Sequence, residues 1–203
     1  MKLLDLFCGA GGAGMGYHQA GFEVVGVDIN PQPHYPFEFH QGDALEYLEK
    51  HGHEFDVIHA SPPCPRFSSL TRLRGKNESH PDLIVPTREM LKKIGKPYII
   101  ENVEGAPLRI DLMLCGTMFG IAFPKHRIFE LSFILSVLLP PCNHHNVYDP
   151  FHGGEQARGE REKLMNLFNI DWNMTRQEVR NCIPPAYTKF IGEHLKHDLW
   201  AIS

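Results

Sequence analysis

The sequence has no apolar run approaching the roughly 20 residues needed to cross a bilayer, which excludes a helical membrane protein. The stretch Met1 to Phe7 is too short, and with Asp5 too acidic, for a signal peptide; it reads as a strand, so a cytoplasmic location is expected. Cysteines are few and odd in number, five at scattered positions, so they do not form a disulfide framework. Each is a core residue, a ligand or a nucleophile. A basic excess is also missing. Twenty Lys and Arg face 24 Asp and Glu, a formal net charge of −4 with 13 neutral histidines. Many nucleic-acid binders are strongly basic, so a DNA partner would have to be held by a local patch. Internal repeats and long low-complexity tracts are absent. What remains is a 203-residue chain with 42% hydrophobic and 22% charged residues, enough for one α/β domain and a small appendage.

Short apolar strands alternate with helical stretches through the first half. Strands are expected at Leu3 to Phe7, Val24 to Val27, just before Gly42, Asp56 to Ala60 and Tyr98 to Ile100; helices at Gly14 to Ala20, Ala44 to Lys50 and Pro86 to Lys93. Strand–helix–strand spacing predicts βαβ units and a mostly parallel sheet, whose strands are covered on both faces and read as continuous apolar runs. Ile128 to Leu139 reads as one or two further strands. From Pro140 to Trp172 the pattern turns to Pro, Asn, His, Gly and charge, predicting a mobile insert with little core of its own. Thr175, with Glu178 three residues on, predicts an N-capped helix, and Pro184 to Leu195 a closing helix.

Phe7-Cys8-Gly9-Ala10-Gly11-Gly12 follows the first strand and opens a helix, where glycines let a nucleotide-like ligand approach the backbone. The run is neither GxGxxG nor a phosphate-binding loop. Asp28 ends the second strand about twenty residues later, placed to bind ribose hydroxyls or to cap a helix. Asp43, followed by Ala44, is placed to accept from an exocyclic amine. In series these describe an adenosine site without a pyrophosphate, which favours S-adenosylmethionine over NAD. Ser61-Pro62-Pro63-Cys64-Pro65-Arg66-Phe67-Ser68 follows the fourth strand. Proline on both sides of Cys64 and Arg66 close by predict an exposed electropositive thiol, whereas Cys8 and Cys115 read as small core residues. Glu101, leaving a buried strand beside Asn102 and Val103, is either bonded to local backbone or a functional acid. Lys125 and Arg127 alternate onto one face of a strand, which is otherwise a solvated face. Asn181-Cys182-Ile183-Pro184-Pro185 reads as a turn and a helix start.

The order of these motifs, from Asp5-Leu6-Phe7-Cys8-Gly9 through Pro63-Cys64, Glu101-Asn102-Val103 and Lys125-His126-Arg127 to Asn181-Cys182-Ile183-Pro184-Pro185, resembles the C5-cytosine DNA methyltransferase family over nearly the whole chain apart from Pro140 to Trp172. The resemblance implies a Rossmann-like S-adenosylmethionine-dependent methyltransferase fold with a small C-terminal insert. It divides the chain into a catalytic and cofactor-binding part (1–131), a reduced target-recognition insert (132–173) and a returning segment (174–203). It implies that Cys64 is the nucleophile, that Glu101 bonds ring N3 and the exocyclic amine, and that Arg127 holds the base carbonyl. Phe7, Cys8, Gly9, Gly11, Gly12, Asp28, Ile29, Asp43, Ala44 and Asn181 would form the cofactor site; Ser61, Pro63, Ser68, Asn102 and Lys125 would contact substrate. The substrate would be DNA with a flipped base or a single strand.

The sequence departs from the family where Pro65 follows Cys64 in place of the usual Gln. Phe123-Pro124-Lys125-His126-Arg127 also lacks the family's Gln and has Lys for one Arg, which cannot reproduce the planar fork. The recognition region is short, so weak sequence specificity, a homodimer or an accessory subunit is implied. Two other readings stay open. Ser61-Pro62-Pro63 is similar to the loop of amino-methyltransferases acting on N4 of cytosine or N6 of adenine, with Cys64 where their aromatic stands. A non-catalytic nucleic-acid-binding relic, or the same chemistry on RNA or a free nucleotide, is also compatible. Cys142, His144, His145 and His152 are either solvated loop residues or ligands of a metal that staples the insert.

Overall fold

The computed structural model describes residues 1–63, 82–145, 147 and 159–200, with side chains as far as His197. Seven strands form one sheet: β1 (Lys2–Leu6), β2 (Glu23–Asp28), β3 (Glu38–Gln41), β4 (Val57–Ala60), β5 (Tyr98–Asn102), β6 (Leu112–Leu114) and β7 (Arg127–Leu131). Their order is β3-β2-β1-β4-β5-β7-β6. The first five are parallel; β7 runs antiparallel to both β5 and β6. The helices are α1 (Gly12–Gln19), α2 (Ala44–His51), α3 (Ile84–Ile94), α4 (Glu160–Phe168), α5 (Arg176–Asn181) and α6 (Pro185–Trp200).

Period-two alternation sorts each strand into two cores. Leu3, Val24, Val57 and Ile99 meet α1 and α6 through Tyr17, Tyr187, Ile191 and Leu195. Their neighbours Leu4, Val25, Ile58 and Ile100 meet α2 and α3 through Leu48 and Leu91. Asp5, His59 and Glu101 share the parity of Leu3, Val57 and Ile99, so they lie on the α1–α6 face, and all three are buried. α1 and α6 approach closely because Gly16 carries no side chain: a Cβ there would stand 2.1 Å from both the Pro185 carbonyl and the Thr188 hydroxyl. The Thr188 hydroxyl donates to the Ala13 carbonyl at 2.8 Å and locks that contact.

The expected strand at Ile128 to Leu139 is shorter than its composition suggests. β5 begins at Tyr98, directly behind Pro97, so its ladder with β7 runs out where the Ser132 amide donates to the Tyr98 carbonyl. Residues 132–145 then leave the sheet without regular structure. The mobile insert expected from Pro140 to Trp172 is corrected for its second half. α4 buries Leu164 and Phe168, with Ile170, Met174 and Val179, in a satellite core against Ala10, Ile121 and Phe123. Trp172 donates from its indole to the Ala10 carbonyl at 3.0 Å, tying this unit to the Gly-rich turn. The Thr175–Glu178 capping box is present, worth roughly 1 kcal/mol to so short a helix. Lys125 does not share a strand face with Arg127. It precedes β7 in a buried loop, with its ammonium donating to the Arg180 carbonyl at 2.6 Å and lying 5.3 Å over the Phe168 ring.

Candidate active site

The turn after β1 is built from left-handed backbone: Phe7 has φ 57°, Gly9 φ 49° and Gly11 φ 90°. Phe7 is the costly member, since a bulky residue adopts this region only when its surroundings enforce it. They do. The Cys8 amide donates to the Val27 carbonyl, and the Gly9 amide donates to Asp28 Oδ2 at 3.1 Å. Asp28 Oδ1 accepts from the Asn30 amide at 2.9 Å, so one carboxylate joins the ends of β1 and β2.

On the α1–α6 face, adjacent strands bring polar groups into line. Tyr17 donates its hydroxyl to His59 Nδ1 at 3.0 Å, which leaves the proton on Nε2 to be given to Ser61 Oγ at 2.9 Å. The Ser61 hydroxyl is thereby directed to the Glu101 carboxylate, with which it is hydrogen-bonded. Burial pushes the His59 pKa down to about 3, so the ring is neutral, as this direction of donation requires. Glu101 is pushed up from the usual carboxylate range by burial; Arg127, whose Nε lies 2.9 Å from Oε1, and the Ser61 hydroxyl oppose the rise. Arg127 is itself held by donation from Nη1 to the His126 carbonyl at 2.7 Å. Such a carboxyl holds its proton more readily than a free one, which suits it to donate to a bound base.

Ser61, Glu101 and Arg127 face a cavity of about 510 Å³, within the ordinary range for small-ligand sites, with Tyr17 and His59 behind them. Of the expected residues, Phe7, Cys8, Gly9, Gly12, Ser61, Pro63, Glu101, Asn102, Arg127 and Asn181 line it. Cys64 and Ser68 lie outside the described residues; Ser61, Pro62 and Pro63, the three residues before Cys64 in the chain, line the cavity. Gly11, Asp28, Ile29, Asp43, Ala44 and Lys125 do not line it. Gly11 faces Tyr35 and Pro36; Asp28 adjoins the cavity through Gly9; Ala44 is buried in the opposite core. Asp43 caps α2, its Oδ1 accepting from the amides of Leu45 and Glu46.

Motif reasoning misses Asp5 as a site residue, although a carboxylate inside Leu3-Leu4-Asp5-Leu6 is itself a signal. It lines the cavity, and burial pushes its pKa up to about 8 against the opposing hydrogen bond from the Tyr35 hydroxyl. Tyr35 lies across Gly26, opposite Asp5 in the sheet, where any side chain would collide with its ring. Asp5 Oδ1 is buried without a hydrogen-bond partner. Gln32, Met174, Gln177, Glu178 and Cys182 also line the cavity. Glu178, already explained locally as a cap, reaches across to His34 Nδ1 at 2.9 Å.

Residues 1–108, just over half of the chain and all of the sheet's parallel part, match the family of C-5 cytosine-specific DNA methylases. The chain belongs to that family. Among its relatives in the family are the type II methyltransferases M.FnuDI of Fusobacterium nucleatum and M.NgoPII of Neisseria gonorrhoeae. The first is 33% identical over 161 residues (66% of this chain, 47% of the relative) and the second 30% identical over 163 (66% and 48%). M.HgiGI of Herpetosiphon aurantiacus is 32% identical over 120 residues, 53% of this chain and 94% of that one. The chain thus spans about half the length of M.FnuDI and M.NgoPII. The Entamoeba histolytica methyltransferase EhMeth superposes with a TM-score of 0.61 over 98% of both chains at 12% identity, a likeness of fold. The amino-methyltransferase reading gives way to the family match; the Ser61 hydroxyl, which that chemistry would turn to an incoming amine, is here held between His59 and Glu101.

Proposed function

We propose that this C-5 methylase transfers a methyl group from S-adenosylmethionine to carbon 5 of cytosine in DNA, with Cys64 as the nucleophile. The observation that carries the reading is the cavity shared by the Gly-rich turn, the Glu101–Arg127 pair and Pro63, the residue before Cys64 in the chain. A methyl donor with a cationic amine fits the residues present. Among the described residues, the buried Asp5 carboxyl in the cavity wall, whose Oδ1 has no hydrogen-bond partner, is the group such an amine would pair with, the cation drawing off the proton that burial otherwise keeps there. Asp28 has used two of its four acceptor positions and retains capacity for ribose hydroxyls. Ile29, 62% exposed just beyond the end of β2, offers the apolar surface an adenine ring needs. When bound, the donor supplies an electrophilic methyl sulfonium.

The chain's own residues make carbon 5 able to attack it. Addition of the Cys64 thiolate to carbon 6 places negative charge on N3. Glu101, held protonated more readily by its burial, gives a proton to N3, and Arg127 aims positive charge at the base carbonyl. Ser61 and His59 hold Glu101 in register. The base must leave the stack to reach this cavity, so the substrate is a flipped or single-stranded cytosine. With the short 132–173 stretch as the recognition element, target reading is weak or shared with a second copy or accessory protein.

The test is incubation with tritiated methyl donor and DNA, followed by nucleoside analysis and trapping on DNA that carries 5-fluorocytosine. The expected results are 5-methylcytosine and a covalent adduct that Cys64→Ala abolishes while donor binding persists. An adduct retained by Cys64→Ala overturns the assignment of the nucleophile.

A further inference from the structure

We propose that Cys115, His126, Cys142 and His144 form a zinc site that fastens the irregular segment 132–145 to the catalytic sheet. One ligand atom from each of these four residues lies within 4.8 Å of the other three. Two ligands are placed by the sheet itself. In the β6–β7 ladder Leu112 faces Phe129, Met113 faces Ile128 and Leu114 faces Arg127, so the next rung sets Cys115 opposite His126. The other two come from Cys142-Asn143-His144, a spacing that the irregular segment folds back onto the same point. Cys115 therefore has a second role beyond the core position expected from sequence. His145 is not among the four, and His152 lies outside the described residues.

The hydrogen bonds around the cluster call for a cation at its centre. His126 Nδ1 lies 3.0 Å from Glu104 Oε2, which keeps the proton on Nδ1 and turns the Nε2 lone pair inwards. That is the carboxylate–histidine arrangement that orients metal-bound imidazoles. His126 Nε2 meets His144 Nε2 at 3.2 Å, and His144 Nε2 also lies 3.4 Å from Cys115 Sγ. One proton on His144 cannot serve both acceptors, whereas a metal serves all of them. Thr117 Oγ1 accepts from the Asn143 amide at 3.1 Å, which leaves its proton for Cys115 Sγ at 3.3 Å, a bond suited to a coordinated thiolate.

Two sulfurs and two imidazoles are the ligand set of tetrahedral zinc. Zn–S near 2.3 Å and Zn–N near 2.0–2.1 Å put ligand atoms about 3.3–3.8 Å apart, close to the 3.2 and 3.4 Å that His144 Nε2 makes with His126 Nε2 and Cys115 Sγ. Residues 132–145 have no regular structure, and Ile134 and Leu138 are fully or nearly fully solvated, so a metal staple replaces the ladder this segment lacks. It also anchors His126, whose carbonyl holds Arg127 in the cavity.

The test is elemental analysis of the full chain purified and reconstituted with zinc, with cobalt substitution as an optical probe. The expected result is about one zinc per chain, and a cobalt form showing tetrahedral visible bands with thiolate-to-metal charge transfer. Cys142→Ser and His144→Ala, both in the irregular segment and outside the sheet, should each lower zinc content at least about tenfold, while His145→Ala retains it. A chain that takes up no zinc, a cobalt form without thiolate bands, or Cys142→Ser and His144→Ala proteins as zinc-rich as the parent would each overturn the proposal.

Discussion

Asp5→Asn isolates the buried carboxyl at the floor of the cavity. Its folded-state pKa is about 8, against 3.8 for the free group. A raised carboxyl binds a proton in the folded chain that the unfolded chain has lost. Its contribution to stability is therefore complete below about pH 4 and declines as pH rises through 8. Between pH 5 and 7 the loss is about 1.4 kcal/mol per pH unit, or about 2–3 kcal/mol in all. That slope holds for any folded value above 7. His59, depressed to about 3, acts in the opposite sense below its free value of 6.5, so the raw pH curve mixes the two. The difference between parent and variant does not, because an asparagine keeps the shape and the Tyr35 contact but cannot titrate. Urea unfolding of both proteins without methyl donor, at half-unit steps from pH 5 to 7, should give stability curves that diverge by about 2–3 kcal/mol, the variant gaining relative stability at the upper end. Curves that stay parallel would refute the claim that Asp5 is held protonated.

Three further variants test the site and its frame. Glu101→Gln preserves the shape beside Ser61 and Arg127 but removes the acid, so adduct formation on 5-fluorocytosine DNA should slow by roughly 10²–10⁴-fold with donor affinity unchanged; rates within tenfold of the parent would remove Glu101 from the chemistry. Gly16→Ala forces a methyl group into backbone of α6 and should cost about 1–3 kcal/mol or more in denaturant unfolding. Gly42→Ala, where an added methyl group meets open space, should change stability by less than about 0.5 kcal/mol.

Local pattern in the sequence determined a good deal. Apolar runs of strand length between helical periods specified the parallel strands, since both faces of such strands must be apolar. Thr175 with Glu178 specified a helix start, because a capping box closes within four residues. Motif order identified the family without any coordinates. What tertiary structure decided are the contacts between residues distant in the chain, which depend on strand register and on what covers each face. Tyr17 with His59, Tyr35 with Asp5 and Cys115 with His126 follow from the pairing of β1, β2 and β4 and of β6 with β7, and no local spacing encodes them. The end of β7 before Phe133 has the same origin: β-rich composition at Ile128 to Leu139 makes a strand only as far as a partner edge extends, and that edge stops at Tyr98. Lys125 reads as a surface cation by type. Only the fold of α4 and α5 over it, with the Arg180 carbonyl in reach, makes it a buried one.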